Sequence, residues 1–275
     1  MTRLLIDTDI GGDIDDAIAL VMALNEPTLE IVGVTNVYIG NAWRGDVTRE
    51  LLAAYDRPEI PVVFGAERPM LGTWGQEAAG ANEAVDFIID QARKGPLTVL
   101  AIGPLTNLGL ALAKAPDIAG NLRVYAMGGM LNRAHPEWNI QCDPEAAQLV
   151  LSSGADVTLA ALDVTEQCRL DEAQARALVA GEGQGIACLR KNMERFLTSF
   201  SFLPTLHDPL ALLCLLEPAL CTYEDKEICV ETQGQWTRGV TVDRRWPQHP
   251  NVRAAVTVDA PAVVEAVYRR VRARL

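Results

Sequence analysis

The chain reads as an α/β protein with a mostly parallel, Rossmann-like central sheet wrapped by helices. Three observations predict this class. Short apolar runs alternate with amphipathic stretches along the whole chain. The runs are apolar at consecutive positions, as strands covered on both faces are. No composition break, Pro/Gly/Ser linker or internal repeat divides the 275 residues, so a single domain over 1–275 is expected.

The elements follow in order. Arg3–Ile6 is a short strand that ends in acids, and Asp16–Leu24 has apolar residues at helical spacing. Leu29–Val37 is β-branched and reads as a buried strand. Ala42–Tyr55 is an amphipathic helix, and Ile60–Phe64 is a strand after Pro58. Asn82–Arg93 is a helix, Leu97–Ile102 a strand, and Pro104–Lys114 a helix opened by proline. Leu122–Met127 is a further strand. Asp143-Pro144-Glu145 then opens a helix to about Ser152, with Asp143 as N-cap. Val157–Leu162 is a strand, 171–216 is mostly helical, and strands follow near 227–232 and 253–258. A last helix starts around Asp259-Ala260-Pro261.

Composition narrows the function. There are 24 Lys+Arg against 36 Asp+Glu, a net charge of −12. That balance repels phosphate backbones, so no nucleic-acid partner is expected. No apolar run approaches the length of a membrane span, so no membrane partner is expected either. Met1-Thr2-Arg3 leads straight into a strand, without the layout of a signal peptide. Six cysteines show no C-x-x-C pair, and five lie in or beside apolar stretches, as buried thiols do. A cytoplasmic location is expected.

In parallel sheets, ligands bind beyond the carboxyl ends of the strands. After the first strand comes Asp7-Thr8-Asp9-Ile10-Gly11-Gly12-Asp13-Ile14-Asp15-Asp16, with five carboxylates in ten residues. Like charges this close need a compensating cation or extra protons. Clustered Asp oxygens suit a hard divalent ion, Ca²⁺ or Mg²⁺, and the glycines permit a tight turn. An Asp-rich turn that merely caps a helix has the same composition. A phosphate-binding loop does not fit, because no Gly-Lys-Ser/Thr follows. Three more clusters sit where strands end or loops enter helices: Gly103-Pro104-Leu105-Thr106-Asn107, Met127-Gly128-Gly129 with Glu137-Trp138-Asn139, and Leu206-His207-Asp208-Pro209. Each is weak singly, and His207-Asp208 alone reads equally as a loop residue and an N-cap. Strand ends converge on one edge of a sheet, so together they point to a shared site.

This set resembles the inosine-uridine nucleoside hydrolase family, which cleaves the N-glycosidic bond of ribonucleosides with a bound Ca²⁺. The resemblance runs from Asp7 to about Asp259. It also includes Gly40-Asn41, Asp143-Pro144-Glu145-Ala146-Ala147, Leu162-Asp163-Val164-Thr165 and Thr237-Arg238-Gly239. It implies that Asp9, Asp16 and Asp208 give carboxylate oxygens to Ca²⁺ and Thr106 its backbone carbonyl. It implies that Asp9 is the general base for a metal-bound water. Asp15, Glu137, Asn139 and Asp208 hold the ribose hydroxyls, Asn41 binds near the ribose, and Met127 packs on the sugar. His207 lies near the departing base and donates to it. A homo-oligomer, dimer or tetramer, is implied too. These residue types suit the chemistry: carboxylates and amide oxygens stabilise an oxocarbenium-like ribose more than the neutral substrate.

The chain departs from the family pattern in three places. The acidic turn is longer, because Gly12-Asp13 sits inside it. The loop Leu71-Gly72-Thr73-Trp74-Gly75 lacks the usual His-Gly, and Trp74 is a candidate to stack on the base instead. The segment between Gly129 and Glu137 is short, and Asn132 is the candidate for the missing ribose contact. Trp74, Phe196, Phe200 and Trp236 are aromatic candidates for the base pocket, with core packing the expected role of at least one. Two other readings stay open on the residues alone. One is a metal-dependent phosphatase with Asp7 as nucleophile and Asp9 as acid. The other is a catalytically silent Ca²⁺ or nucleoside binder.

Overall fold

The computed structural model describes residues 1–71, 77–244 and 246–273. The strands are β1 (Thr2–Thr8), β2 (Leu29–Asn36), β3 (Val62–Phe64), β4 (Leu97–Ala101), β5 (Leu122–Met127), β6 (Asp156–Ala160), β7 (Cys221–Lys226), β8 (Ile228–Val230), β9 (Thr241–Asp243) and β10 (Val252–Val258). The helices are α1 (Asp15–Leu24), α2 (Asn41–Ala54), α3 (Glu83–Arg93), α4 (Thr106–Lys114), α5 (Trp138–Cys142), α6 (Pro144–Leu151), α7 (Leu162–Thr165), α8 (Glu172–Leu178), α9 (Gln184–Ser199), α10 (His207–Leu216) and α11 (Ala260–Val271).

Eight strands form the main sheet in the order β3-β2-β1-β4-β5-β6-β10-β7, with only β7 antiparallel to its neighbour. Strand order reverses between β1 and β4, and the crevice at such a reversal is where doubly wound sheets bind ligands. Side chains alternate across β1: Leu4 and Ile6 join the core under α1, α9, α10 and α11, while Leu5 joins the core under α3, α4 and α6. All ten residues of α1 are buried: beyond Asp15-Asp16 it is apolar on every side, and α9, α10 and α11 pack against it.

The expected Asp143 cap is in place, and Asn82 and Asp259 cap the helices expected to start there. Asn82, Asp143 and Asp259 accept from the backbone N–H of Val85, Ala146 and Ala262, each at 3.1 Å. Helix α4 begins at Thr106 rather than Pro104. The preceding turn has to pass Asp9, and a Cβ on Gly103 would lie 2.9 Å from the Asp9 nitrogen. The strand read near 227–232 is not in the main sheet: β8 pairs with β9 in a separate antiparallel ribbon. The place at the sheet edge belongs to β7, whose CTYEDK sequence carries the charges that protect an exposed edge.

Close packing of α4 on α6 rests on Gly109, where an added Cβ would lie 2.7 Å from the Ala146 Cβ and 2.9 Å from its Cα. Gly109→Val is therefore expected to destabilise the fold by roughly 1–3 kcal/mol, read as a lowered urea midpoint. An unchanged midpoint would mean that the two helices separate freely.

Candidate active site

A cavity of about 470 Å³ opens where β1, β4 and β5 end. Its floor is the acidic turn after β1. Gly11 takes φ +107°, which lets the chain double back toward α1. The Thr8 hydroxyl donates to Asp16, and the Ile10 N–H donates to the Thr8 oxygen at 3.1 Å. Asp15 and Asp16 occupy the first turn of α1, and Asp208 occupies the first turn of α10. Both helix N-termini favour negative charge. The Asp208 N–H donates to Asp15 Oδ2 at 3.3 Å, which ties the two helix starts together.

One oxygen from each of Asp15, Asp16 and Asp208 lies within 4.8 Å of the others, and all three residues are buried. Burial pushes each of these carboxyls well above its usual range, and their mutual repulsion pushes further. Asp9 lines the same cavity, and burial raises its carboxyl to about 6 against the opposing pull of Arg44. Burial also raises Asp13 to about 6. Such a group fits a hard divalent cation, whose charge lets all the oxygens ionise together.

The opposite wall of the cavity is built from the end of β5 and the start of α5. Glu137 caps α5, and its oxygens accept from the N–H groups of Asn139 (2.8 Å), Gly129 (3.0 Å) and Ile140 (3.1 Å). Even so, burial lifts its carboxyl to about 7. The Asn139 amide nitrogen donates to the Met127 carbonyl at 3.2 Å, and Met127 lines the cavity beside it. His207 sits near Asp208, with Nδ1 2.7 Å from the Thr165 hydroxyl. Burial, and then Arg169, lowers its pKa to about 4, so it is neutral at pH 7.

The structure thus brings Asp9, Asp15, Asp16, Met127, Glu137, Asn139, His207 and Asp208 around one cavity. Others of the expected set lie elsewhere. Thr106 is buried at the start of α4, where its hydroxyl donates to Asp143 at 2.7 Å. Asn41 begins α2 with its amide donating to the Gly65 carbonyl at 2.6 Å, outside the cavity lining. Asn132 is exposed on the loop before α5. Trp74 lies outside the described residues. Of the aromatic candidates, Phe200 lines the cavity, Phe196 is core, and Trp236 is 88% exposed.

The phosphatase reading is overturned by the place of Asp7. Asp7 points into the sheet, fully buried, and accepts from Thr35 (2.5 Å) and Asn107 (2.8 Å). A carboxylate shut away from the cavity cannot attack phosphorus.

Sequence reasoning missed Tyr38, Arg44, Trp138 and Phe202, which also line the cavity. Tyr38 follows β2 at φ +74° and meets Trp138 edge to face, centroids 6.1 Å apart. Its position just after a strand was the available signal. Arg44 is buried, its guanidinium 5.5 Å from the Tyr38 ring centre and donating to the Ile10 carbonyl at 3.0 Å.

Comparison with known proteins agrees with this geometry. Residues 4–265 match the model of the inosine-uridine preferring nucleoside hydrolases. The chain is 32% identical to the "Probable uridine nucleosidase 2" of Arabidopsis thaliana, over 98% of this chain and 97% of that one. It is 31% identical to the "Pyrimidine-specific ribonucleoside hydrolase RihA" of Salmonella agona, over 98% of both. Among solved structures, the purine-preferring ribonucleoside hydrolase from Gardnerella vaginalis superimposes with a TM-score of 0.79 at 29% identity, over 98% of both chains. With these relatives, the α/β sheet and its carboxylate-lined crevice are those of a hydrolase of the glycosylase type. The chain belongs to the inosine-uridine preferring nucleoside hydrolase family and hydrolyses the N-glycosidic bond of ribonucleosides.

The raised carboxyls have a thermodynamic consequence. Their ordinary values are 3.8 for Asp and 4.5 for Glu, against about 6 for Asp9 and about 7 for Glu137 in the fold. Between about pH 4 and pH 7 the native state therefore holds more protons than the unfolded chain, and this contribution to stability is lost as pH rises. A divalent cation reverses that loss. The gap in Tm between Ca²⁺-saturated and chelator-treated protein should widen from pH 5 to pH 8. A gap that is constant with pH would show that the buried carboxyls do not bind the ion.

Proposed function

We propose that the protein is a Ca²⁺-dependent ribonucleoside hydrolase that acts on pyrimidine ribonucleosides. The observation that carries this reading is the 4.8 Å cluster of Asp15, Asp16 and Asp208 facing the same cavity as Asp9, Glu137 and Asn139. Asp9, Asp16 and Asp208 are the proposed ligands, and the closeness of Asp15 makes it a further one. When bound there, Ca²⁺ supplies the charge that lets these carboxylates ionise together, and it polarises a water molecule.

The chain's own residues do the rest. Asp9, raised only to about 6, is ionised at neutral pH and takes the proton from the attacking water. Asp15, Glu137, Asn139 and Asp208 accept from the ribose hydroxyls and hold the ring. As the glycosidic bond lengthens, the ring gains positive charge, and the surrounding oxygens stabilise that charge more than the neutral substrate. The Asn139 nitrogen is committed to Met127, so its oxygen is the end offered to the sugar. Neutral His207 assists departure as a hydrogen-bond donor from Nε2, with the Thr165 hydroxyl donating to Nδ1. Tyr38, Trp138, Phe200 and Phe202 supply flat faces for the base.

Pyrimidine preference is inferred from the names of the Arabidopsis and Salmonella relatives. Six free cysteines support a reducing, cytoplasmic setting, where the reaction serves nucleoside salvage. A homo-oligomer, dimer or tetramer, is proposed from the family.

The test is release of reducing sugar from a panel of nucleosides with Ca²⁺. Uridine is expected to give a higher kcat/KM than inosine, and the reverse order would overturn the pyrimidine assignment. Asp9→Ala should lower kcat by at least about 10³-fold with the circular dichroism spectrum unchanged. Undiminished turnover in that variant would remove Asp9 from the mechanism.

A further inference from the structure

The turn from Ile10 to Ile14 is pinned at its two ends, where Ile10 N–H donates to the Thr8 hydroxyl at 3.1 Å and Ile14 N–H to Asp13 Oδ1 at 2.5 Å, and is open in its middle. It holds adjacent glycines, and a Cβ on Gly12 would meet nothing within 4 Å. Yet the turn determines where Asp13, Asp15 and Asp16 stand. Its further anchors come from outside. Arg44 donates to the Ile10 carbonyl at 3.0 Å, and Arg195, from the far end of α9, donates to the Gly11 carbonyl. Both guanidiniums lie on one ring: Trp43 is 5.4 Å from Arg44 and 5.1 Å from Arg195. The edge of that ring closes on the turn itself, since a Cβ on Gly11 would lie 2.7 Å from Trp43 Cη2. Lys191, one helical turn before Arg195, pairs with Glu50 of α2 at 2.7 Å and holds α9 against the helix that bears Trp43.

We propose that Trp43 and Arg195 are positioning residues that clamp the long acidic turn and thereby set the affinity of the Asp15–Asp16–Asp208 cluster for its divalent cation. The proposal rests on the reading of that cluster as a Ca²⁺ site. The logic is geometric. Trp43 fixes how near the turn comes to α2, and Arg195 fixes the direction of the Gly11 peptide. A turn lengthened by Gly12-Asp13 has more conformers to lose on binding an ion, and an external clamp removes them beforehand. Neither residue is among those that line the cavity.

The experiment is calorimetric titration of the full-length protein with Ca²⁺, alongside kcat and KM at limiting and saturating Ca²⁺. Arg195→Ala should weaken Ca²⁺ binding about tenfold, the scale seen when partners of metal ligands are removed. Its kcat should recover at saturating Ca²⁺, and Arg195→Lys, which keeps a cationic donor, should retain most of the affinity. If Arg195→Ala does not fold, Trp43→Phe, which shrinks the stack and keeps an apolar ring, carries the same expectation of weaker Ca²⁺ binding. Wild-type Ca²⁺ affinity in a folded Arg195→Ala protein, even with a lowered Tm, overturns the proposal and leaves the Ca²⁺ site standing. Wild-type protein that takes up no Ca²⁺ overturns the site and the proposal together.

Discussion

Three carboxylates buried at the starts of two helices impose the governing constraint on this molecule. Asp15, Asp16 and Asp208 offer oxygens within 4.8 Å of one another, in a place that water barely reaches. Helix N-termini ease each charge by a fraction of a kcal/mol to about 1 kcal/mol, far less than burial of three ions costs. The remainder has to come from protons or from a cation. The architecture around the cluster follows from holding it in place: α1 is wrapped completely, Thr8 and Arg44 reach into the turn, and the Asp208 amide locks one helix start to the other.

The same constraint explains the division of labour among the acids. Asp7, two residues from Asp9, faces the sheet interior, where Thr35 and Asn107 both donate to its Oδ1 while Oδ2 has no hydrogen-bond partner among the described residues, so it braces the strand end. Glu137 takes three backbone N–H groups on one side and presents its buried carboxyl to the cavity on the other. Aspartates that look alike in a string are sorted by the pleat of β1 and by the helix that follows it.

Much of the fold was legible because parallel strands buried on both faces announce themselves as near-continuous apolar runs, as Leu97–Ala101, buried at every position, does. The edge strand Cys221–Lys226 was not, because half of its side chains face water and it carries charge. The metal-side acids were legible because their crowding in ten residues has few explanations. Arg44 and Phe202 were not, because an arginine or a phenylalanine single in sequence acquires meaning only through its neighbours in space, whereas Tyr38 follows a strand and Trp138 stands between Glu137 and Asn139. Phe196 and Phe200 share a helical spacing, yet one is core and the other lines the cavity, since α9 ends between them. Asn41 and Asn132 show the converse: one matched by motif, the other the candidate for a missing contact, both stand outside the cavity lining.

The ribbon of β8 and β9 looks peripheral, but Thr241 both donates to the Met130 carbonyl (2.6 Å) and accepts from its amide (2.8 Å), bracing the loop that leads to Glu137. That contact joins positions 111 residues apart, and the Asp208–Asp15 bond joins positions 193 apart. Contacts of such long range close late, because the entropy of ordering the intervening chain has to be met first. An emerging chain therefore has Thr8 and Arg44 at hand for its acidic turn long before Asp208 exists, and the charge that serves catalysis in the finished protein keeps that turn hydrated in the meantime.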